Sequence, residues 1–216
     1  MNNHTVITIS RQYGSGGREL ANKLAEKLGY KLFDRQIVHL AAAQIGIDDL
    51  SEDNLRNLEN NVTPLSLSFI PFFNFGSRNT GFNNDVFINE AKAIRQLAND
   101  NDCVILGRCA DFILEDLPNH YSFFICANDD YREKRGKEVY DGKSLKELNE
   151  EDNKRANYYK YYTKQNWGDP KNYDMIINTS KVSLDKAADI IISYVKSNKK
   201  SVGKDYENTK SSIKRF

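Results

Sequence analysis

Little in this chain commits it to anything other than an ordinary hydrophobic core. Three cysteines in 216 residues, Cys103, Cys109 and Cys126, are an odd number at irregular spacing. That excludes a disulfide framework and a zinc signature. Cys103 and Cys126 lie within apolar runs and are expected to be buried thiols. Charge of one sign is lacking too, with 31 Lys+Arg against 30 Asp+Glu and a net charge of +1. A dedicated nucleic-acid binder would carry a clear basic excess, although a local cluster of arginines in a neutral protein can still bind a polyanionic small molecule. No apolar run approaches the ~20 residues needed to cross a bilayer. The start, Met1 to Thr5, lacks the basic-then-apolar pattern of a secretory signal. The expectation is a soluble cytoplasmic protein that binds neither nucleic acid nor membrane. The length suits one domain with room for a small inserted lobe and a tail.

What is there alternates. Thr5 to Ser10 is short and β-branched, and reads as a strand. After the cluster Gly14-Ser-Gly-Gly17, the segment Arg18 to Leu28 places Leu20, Ala21, Leu24, Ala25 and Leu28 on one helical face, with Gly29 as its stop. Lys31 to Phe33 reads as a second strand, ending at Asp34, and Arg35 to Gln44 as a helix. Cys103 to Leu106, Tyr121 to Cys126 and Asp174 to Asn178 read as three more strands. A last helix begins near Ser183, a suitable N-cap, with Leu184, Ala187, Ala188, Ile191 and Val195 on one face. Such alternation implies an α/β fold with right-handed crossovers and a mostly parallel sheet covered on both sides.

Two stretches depart from the alternation. Thr63 to Asn84 is rich in Phe, Asn, Pro and Gly and is expected to be an irregular lobe or lid, where Phe69, Phe72, Phe73 and Phe75 could form a surface for a partner or a homo-oligomer. Asp141 to Pro170 is highly charged, with Tyr158, Tyr159, Tyr161, Tyr162 and Trp167 close together. Ser197 to Phe216 has almost no apolar residue and is expected to be disordered. Its six Lys/Arg and two Asp/Glu give it a charge of +4, which leaves −3 for the rest of the chain.

The chemistry centres on Ser10 to Glu19, reading Ser-Arg-Gln-Tyr-Gly-Ser-Gly-Gly-Arg-Glu between a strand and a helix. Glycines let backbone N–H groups converge on phosphate oxygens, and the helix N-terminus adds a positive dipole end. Two patterns compete. As a dinucleotide turn, Gly14 and Gly16 match G-x-G-x-x-G and Asp34 sits where a ribose-binding acid belongs, but Glu19 replaces the third glycine. As a P-loop, G-x-x-x-x-G-K-[ST], alignment on Gly16 puts Arg11 at the first glycine, Gly17 at the lysine and Arg18 at the hydroxyl residue. Gly14 to Gly17 would still form an anion nest, with Arg18 supplying a cation one position late.

Ile9 to Leu20 followed by Leu32-Phe-Asp-Arg35 resembles the signature of the cytidylate kinase-like family, a divergent branch of the P-loop nucleoside monophosphate kinases. Val104 to Asp111, Lys154 to Thr163, and Trp167 to Asp174 running into Asn178-Thr-Ser180 agree with it, so the resemblance spans about residues 5 to 196. It implies a three-layer P-loop core with a five-stranded parallel sheet, a monophosphate-binding lobe at about residues 35–100 and a helical lid at about residues 141–168. It also implies transfer of the ATP γ-phosphate to a small phosphorylated acceptor, with CMP or dCMP as the leading candidate and Mg²⁺ accompanying ATP.

The same resemblance distributes roles. Gly14, Ser15, Gly16, Gly17, Arg18 and Glu19 would bind the ATP phosphates, although Glu19 could equally serve the helix dipole. Gly107 and Arg108 stand where related kinases bind the acceptor's phosphate, with Arg35 joining them and Asp111 facing the nucleoside. The competing reading for Arg108 is a strand-end salt bridge to Asp111. Asp34 would orient the acceptor or act on Mg²⁺ through water. Arg132 and Arg135, at i and i+3, and Arg155 would be lid cations that join Arg18 in catalysis. The tyrosines would pack the lid on the core, and Asn178, Thr179 and Ser180 would line an adenine pocket. His39 and His120 have no partner at catalytic spacing. Gly17 at the lysine position motivates a second reading, a nucleotide-binding regulator without turnover; a nicotinamide-dependent oxidoreductase is the third.

Overall fold

A computed structural model describes residues 4–34 and 80–199, the side chains of 80–86 excepted. The predicted helix over 35–44, the phenylalanines of 69–75, Arg35, and the tail beyond 199 lie outside the described residues.

Five strands form one parallel sheet: β1 (Val6–Arg11), β2 (Lys31–Phe33), β3 (Cys103–Leu106), β4 (His120–Cys126) and β5 (Met175–Asn178), in the order β2-β3-β1-β4-β5. The register pairs Ile9 with both Leu106 and Phe123, which fixes β1 at the centre. Its neighbours leave in opposite directions, so a crevice opens at the carboxyl end of β1, where α/β sheets bind ligands. Arg11 is the last residue of that central strand and pairs with Ile125.

Alternation of side chains along β1 feeds two core layers. On one face, Ile7 and Ile9 with Phe123 and Ile125 of β4 pack against Leu20 and Leu24 of α1 (Gly17–Leu28) and Ile191 and Val195 of the last helix, Leu184–Asn198. On the other, Val6 and Ile105 pack against Ile94 and Ala98 of α2 (Thr80–Asp100), Ile113 of the short α3 (Ala110–Ile113), and Tyr158 and Tyr159 of α5 (Leu145–Thr163). Helix α4 (Asp129–Val139) follows β4, so the last helix is α6. Helices on both sides of a parallel sheet give the expected three-layer α/β fold. No described helix is long and apolar enough to cross a membrane.

Local signals explain the boundaries. Gly29, left-handed at φ 67°, ends α1, and its N–H donates to the carbonyls of Ala25 and Glu26. Ser183 caps α6 by accepting the Lys186 N–H. Ser144 and Glu147 form a reciprocal capping box at the start of α5.

Three expectations need correction. The segment expected to be irregular up to Asn84 is already helical from Thr80, with Gly81, Asn83 and Asn84 inside the helix, because the apolar face of Phe87, Ala91, Ile94 and Ala98 packs on the core and outweighs their turn preference. Cys126 is half-buried, and the buried thiols are Cys103 and Cys109; Cys126 ends β4, where the chain leaves the sheet. Asp174 is not part of β5. Its carboxylate turns back to accept the Ser122 N–H at 2.7 Å.

Candidate phosphate-binding site

The loop between β1 and α1 is held from three sides. Gln12 ties it to β4: its N–H donates to the Ile125 carbonyl at 2.9 Å and its side-chain oxygen accepts the Ala127 N–H at 3.1 Å. The buried hydroxyl of Ser15 donates to the Gln12 carbonyl at 2.8 Å, so this side chain braces the turn and leaves ligand contact to the backbone. Thr179 donates to the Ser15 carbonyl at 2.6 Å from behind. Gly14 and Gly16 are left-handed, and Gly16 precedes α1 without any side-chain cap. The first-turn N–H groups of α1 therefore have no side-chain acceptor, the arrangement that suits an anion.

Helix α4 supplies the wall over the loop. A Cβ on Gly14 would come within 3.1–3.2 Å of Arg132 backbone and side-chain atoms, so glycine lets α4 approach. Arg132 is buried and donates to the Tyr13 carbonyl at 2.8 Å, to Asn149 at 3.0 Å and to Asp152 at 2.6 Å. Arg135 pairs with Glu19. Both arginines do lie on the α4 face that meets the loop, yet both are engaged as struts that clamp α4 onto it.

Two cavities flank the loop. The larger one runs over Gly14, Gly16, Gly17 and Arg18 and is closed by Tyr140 and Lys143 from the turn after α4. The smaller one lies at the ends of β1 and β3, between Gly107, Arg108, Tyr158, Tyr159 and Trp167. Arg11 and Arg155 line both. The Arg155 guanidinium donates to the Arg11 carbonyl at 2.8 Å and to Asp152 at 3.4 Å.

The turn after β3 carries three successive left-handed residues, Gly107, Arg108 and Cys109. Arg108 and Cys109 are not glycines, and such strain is retained where the surroundings over-determine it. Here the surroundings are Glu90 of α2, which pairs with Arg108 at 3.1 Å and accepts the Tyr158 hydroxyl at 3.0 Å. Arg108 is thus ion-paired, but to Glu90 and not to Asp111. Burial opposes its charge, and Glu90, Tyr158 and Asp34 outweigh burial and raise its pKa.

Asp111 lies beneath the smaller cavity and lines neither cavity. It accepts the Tyr159 hydroxyl at 2.6 Å and the Ser10 hydroxyl at 3.4 Å. Burial pushes its carboxyl up to about 6, against those hydrogen bonds. It positions Tyr159, which does line the cavity. Asp34 pairs with Arg18 at 3.1 Å across the mouth of the loop. Asn178 bonds Asn128 at 2.9 Å and Ser180 accepts the Asn128 N–H at 2.6 Å. With Thr179 they form a brace behind the loop, and neither cavity includes them.

Among the described residues no cluster of three or more His, Cys, Asp or Glu side chains could hold a resident metal ion. Of the carboxylates near the loop, Asp34 and Glu19 are each paired with an arginine, and Asp141 lines the larger cavity. Such a donor set fits an ion that arrives on a nucleotide's phosphates and keeps most of its waters.

Contributors that carried no functional assignment from sequence include Arg11, Glu90, Lys143, Asp152 and Trp167. Glu90 had a readable signal, a lone acid directly before the apolar positions Ala91, Ala93 and Ile94 of an amphipathic helix. Asp152 had none, lying among Glu150, Glu151 and Lys154.

Comparison with known proteins bears on the fold and the family. A crystal structure of an uncharacterized protein from Eubacterium ventriosum matches with a TM-score of 0.65 and 29% identity, covering 90% of this chain and 99% of that one. Shikimate kinase from Bacteroides thetaiotaomicron matches in fold, with a TM-score of 0.50, 14% identity and coverage of 89% and 98%. Shikimate kinase from Acinetobacter baumannii, in complex with shikimate, does so with a TM-score of 0.50, 13% identity and coverage of 93% and 97%. No curated protein gives a significant match. The family model for the cytidylate kinase-like family matches residues 6–181, which contain the loop, both cavities and all five strands, and the chain belongs to that family.

Proposed function

We propose that the protein is an ATP-dependent nucleoside monophosphate kinase that moves the γ-phosphate of MgATP to a small phosphorylated acceptor, with CMP or dCMP as the leading candidate. The observation that carries this reading is the pair of cavities that meet at shared arginines. One is floored by an uncapped glycine-rich helix start, and the other is walled by Arg108 and aromatic rings. Phosphoryl transfer needs in-line positioning and charge neutralisation more than a covalent catalyst.

In this reading the backbone of Gly14 to Gly17 cradles the donor phosphates, and Arg18, held by Asp34, closes the mouth of the loop. Arg108, pre-aimed by Glu90, takes the acceptor's phosphate, joined by Arg35. Tyr159, set by Asp111, and Trp167 flank the acceptor. The acceptor lobe, about residues 35–100, contributes Glu90, and the lid, about residues 141–168, contributes Lys143 and Arg155. Arg132 and Arg135 act through the loop geometry they fix. Asn178 to Ser180 stand behind the loop on the adenine side. Magnesium arrives with ATP as part of the substrate, with Asp34 as the carboxylate assigned to its water shell.

The test is an acceptor panel. Purified full-length protein with MgATP is offered each nucleoside monophosphate and small hydroxyl acceptors, with ADP release followed enzymatically and products identified by mass spectrometry. A phosphorylated nucleoside monophosphate is the expected product. ATP binding with no phosphorylated product would instead establish a regulator that keeps the fold without turnover.

A further inference from the structure

We infer that Arg11 is the phosphate-binding cation of this loop and that it bridges donor and acceptor across the junction of the two cavities. This deepens the phosphotransferase reading and rests on it for the word acceptor. Relative to G-x-x-x-x-G-K, two positions are exchanged: an arginine stands at the first glycine and a glycine at the lysine.

The exchange is one of space. A Cβ on Gly17 would lie 2.6 Å from the Arg11 Cβ and 2.9 Å from its Cγ. A side chain at 17 and the Arg11 stem therefore exclude each other. At the far end of the same side chain, a Cβ on Gly107 would collide with the guanidinium. Arg11 runs from the first residue of α1 to the turn after β3, with a glycine cleared at each end. Its single side chain spans the distance between the cavity over the loop and the cavity beside Arg108.

The charges point the same way. Arg18 is paired with Asp34, Arg108 with Glu90, Arg132 and Arg155 with Asp152, and Arg135 with Glu19. Arg11 alone of this group has no hydrogen bond or ion pair from its guanidinium among the described residues. Burial and then the neighbouring Arg155 hold its pKa down to about 9. Asp34 and Asp152 pull the other way without bonding its guanidinium. A half-buried cation with no direct partner is costly, and an anion bound to it offsets the cost. A planar guanidinium grips two oxygens of one phosphate, or one oxygen of each of two, through parallel hydrogen bonds. Arg155 fixes the Arg11 backbone by bonding its carbonyl.

The experiment uses the full chain and inorganic tripolyphosphate in titration calorimetry, alongside ATP turnover. Arg11→Met is expected to weaken tripolyphosphate binding by about tenfold to a hundredfold, the loss of one or two charge-assisted hydrogen bonds. Arg11→Gly should lose as much. The exchange variant Arg11→Gly/Gly17→Lys should regain about tenfold or more over Arg11→Gly, because the lysine enters the space that the stem has vacated. Thermal melts establish that each variant is folded, and if the exchange variant does not fold, Arg11→Met decides alone. Binding by Arg11→Met within about threefold of the parent, or no binding by the parent, would overturn the inference. Tripolyphosphate binding that depends on Arg11, with no acceptor phosphorylated, would leave it standing and remove the kinase reading instead.

Discussion

Arg132 of α4 and Asp152 of α5 meet at 2.6 Å, both buried, beneath the glycine loop. The second oxygen of Asp152 accepts the Tyr13 N–H at 2.8 Å, and Arg132 donates to the Tyr13 carbonyl at 2.8 Å. One peptide segment of the loop is thus gripped through its N–H and its C=O by an ion pair joining two helices. Burial raises the Asp152 carboxyl to about 6, against the opposing pull of Arg155, Tyr13 and Arg132. The pair sets loop geometry at an electrostatic cost.

Removing one partner is therefore expected to do more harm than removing both. Asp152→Ala leaves Arg132 with the exposed Asp129 as its ionic partner and takes away that of Arg155, and should destabilise the fold by about 3–5 kcal/mol. Arg132→Met combined with Asp152→Leu should be milder than either single change. Urea denaturation of the three variants reads the difference, and ATP affinity should fall in all of them because Tyr13 is released.

Two glycines that are retained for different reasons, one crowded and one left-handed, should respond differently to a methyl group. Gly17→Ala drives a Cβ into the Arg11 stem, which should cost about 1–3 kcal/mol and displace Arg11, with a loss of nucleotide affinity. Gly29→Ala meets open space at φ 67° and should cost about 1–2 kcal/mol of backbone strain with affinity unchanged. Melting curves and ATP titrations on the two variants separate steric from conformational effects.

The sequence made the fold legible because the strands are short β-branched or aromatic runs and α1 and α6 carry unbroken apolar faces. The loop was equally visible, since Gly14, Gly16 and Gly17 cluster between a strand and a helix. Pairings were not visible. Arg132 and Arg135 read as free lid cations because an arginine's partner depends on which helices pack together, and their partners Asp152 and Glu19 are distant in sequence. Arg155 read so because its i−3 partner Asp152 stands among other acids. Thr179 read as a pocket residue, yet its hydroxyl supports Ser15 from 164 residues away. Arg11 went unassigned because a motif reports which residue is missing at position 17 and not which side chain occupies the space.

Acid should weaken the fold through His120. Burial lowers its pKa to about 4, and its Nε2 lies 2.8 Å from the Thr8 hydroxyl. The unfolded imidazole takes a proton near pH 6.5, so this contribution is fully present above that pH and is lost as pH falls toward 4. His120→Gln should lack this slope between pH 6.5 and 4 in chemical denaturation. Asp111, raised to about 6, acts in the opposite sense. Its contribution is present below its unfolded value and is lost as pH rises through 6, so Asp111→Asn should gain on the parent between pH 4 and 6.

Tyr159→Phe removes one of the bonds that hold the Asp111 carboxyl down. Its titration midpoint should move above 6, measurable by carboxyl NMR. The acceptor's KM should rise while ATP affinity stays at the parent value, since Tyr159 lines the smaller cavity and not the larger one.

The most direct measurement of the central claim is the fate of the terminal phosphate. Protein incubated with γ-labelled MgATP and CMP or the best acceptor of the panel should transfer the label to the acceptor's phosphate, and Arg108→Ala should abolish that transfer while leaving ATP binding intact. Label that stays in ATP, or appears only as inorganic phosphate whatever acceptor is supplied, would contradict it.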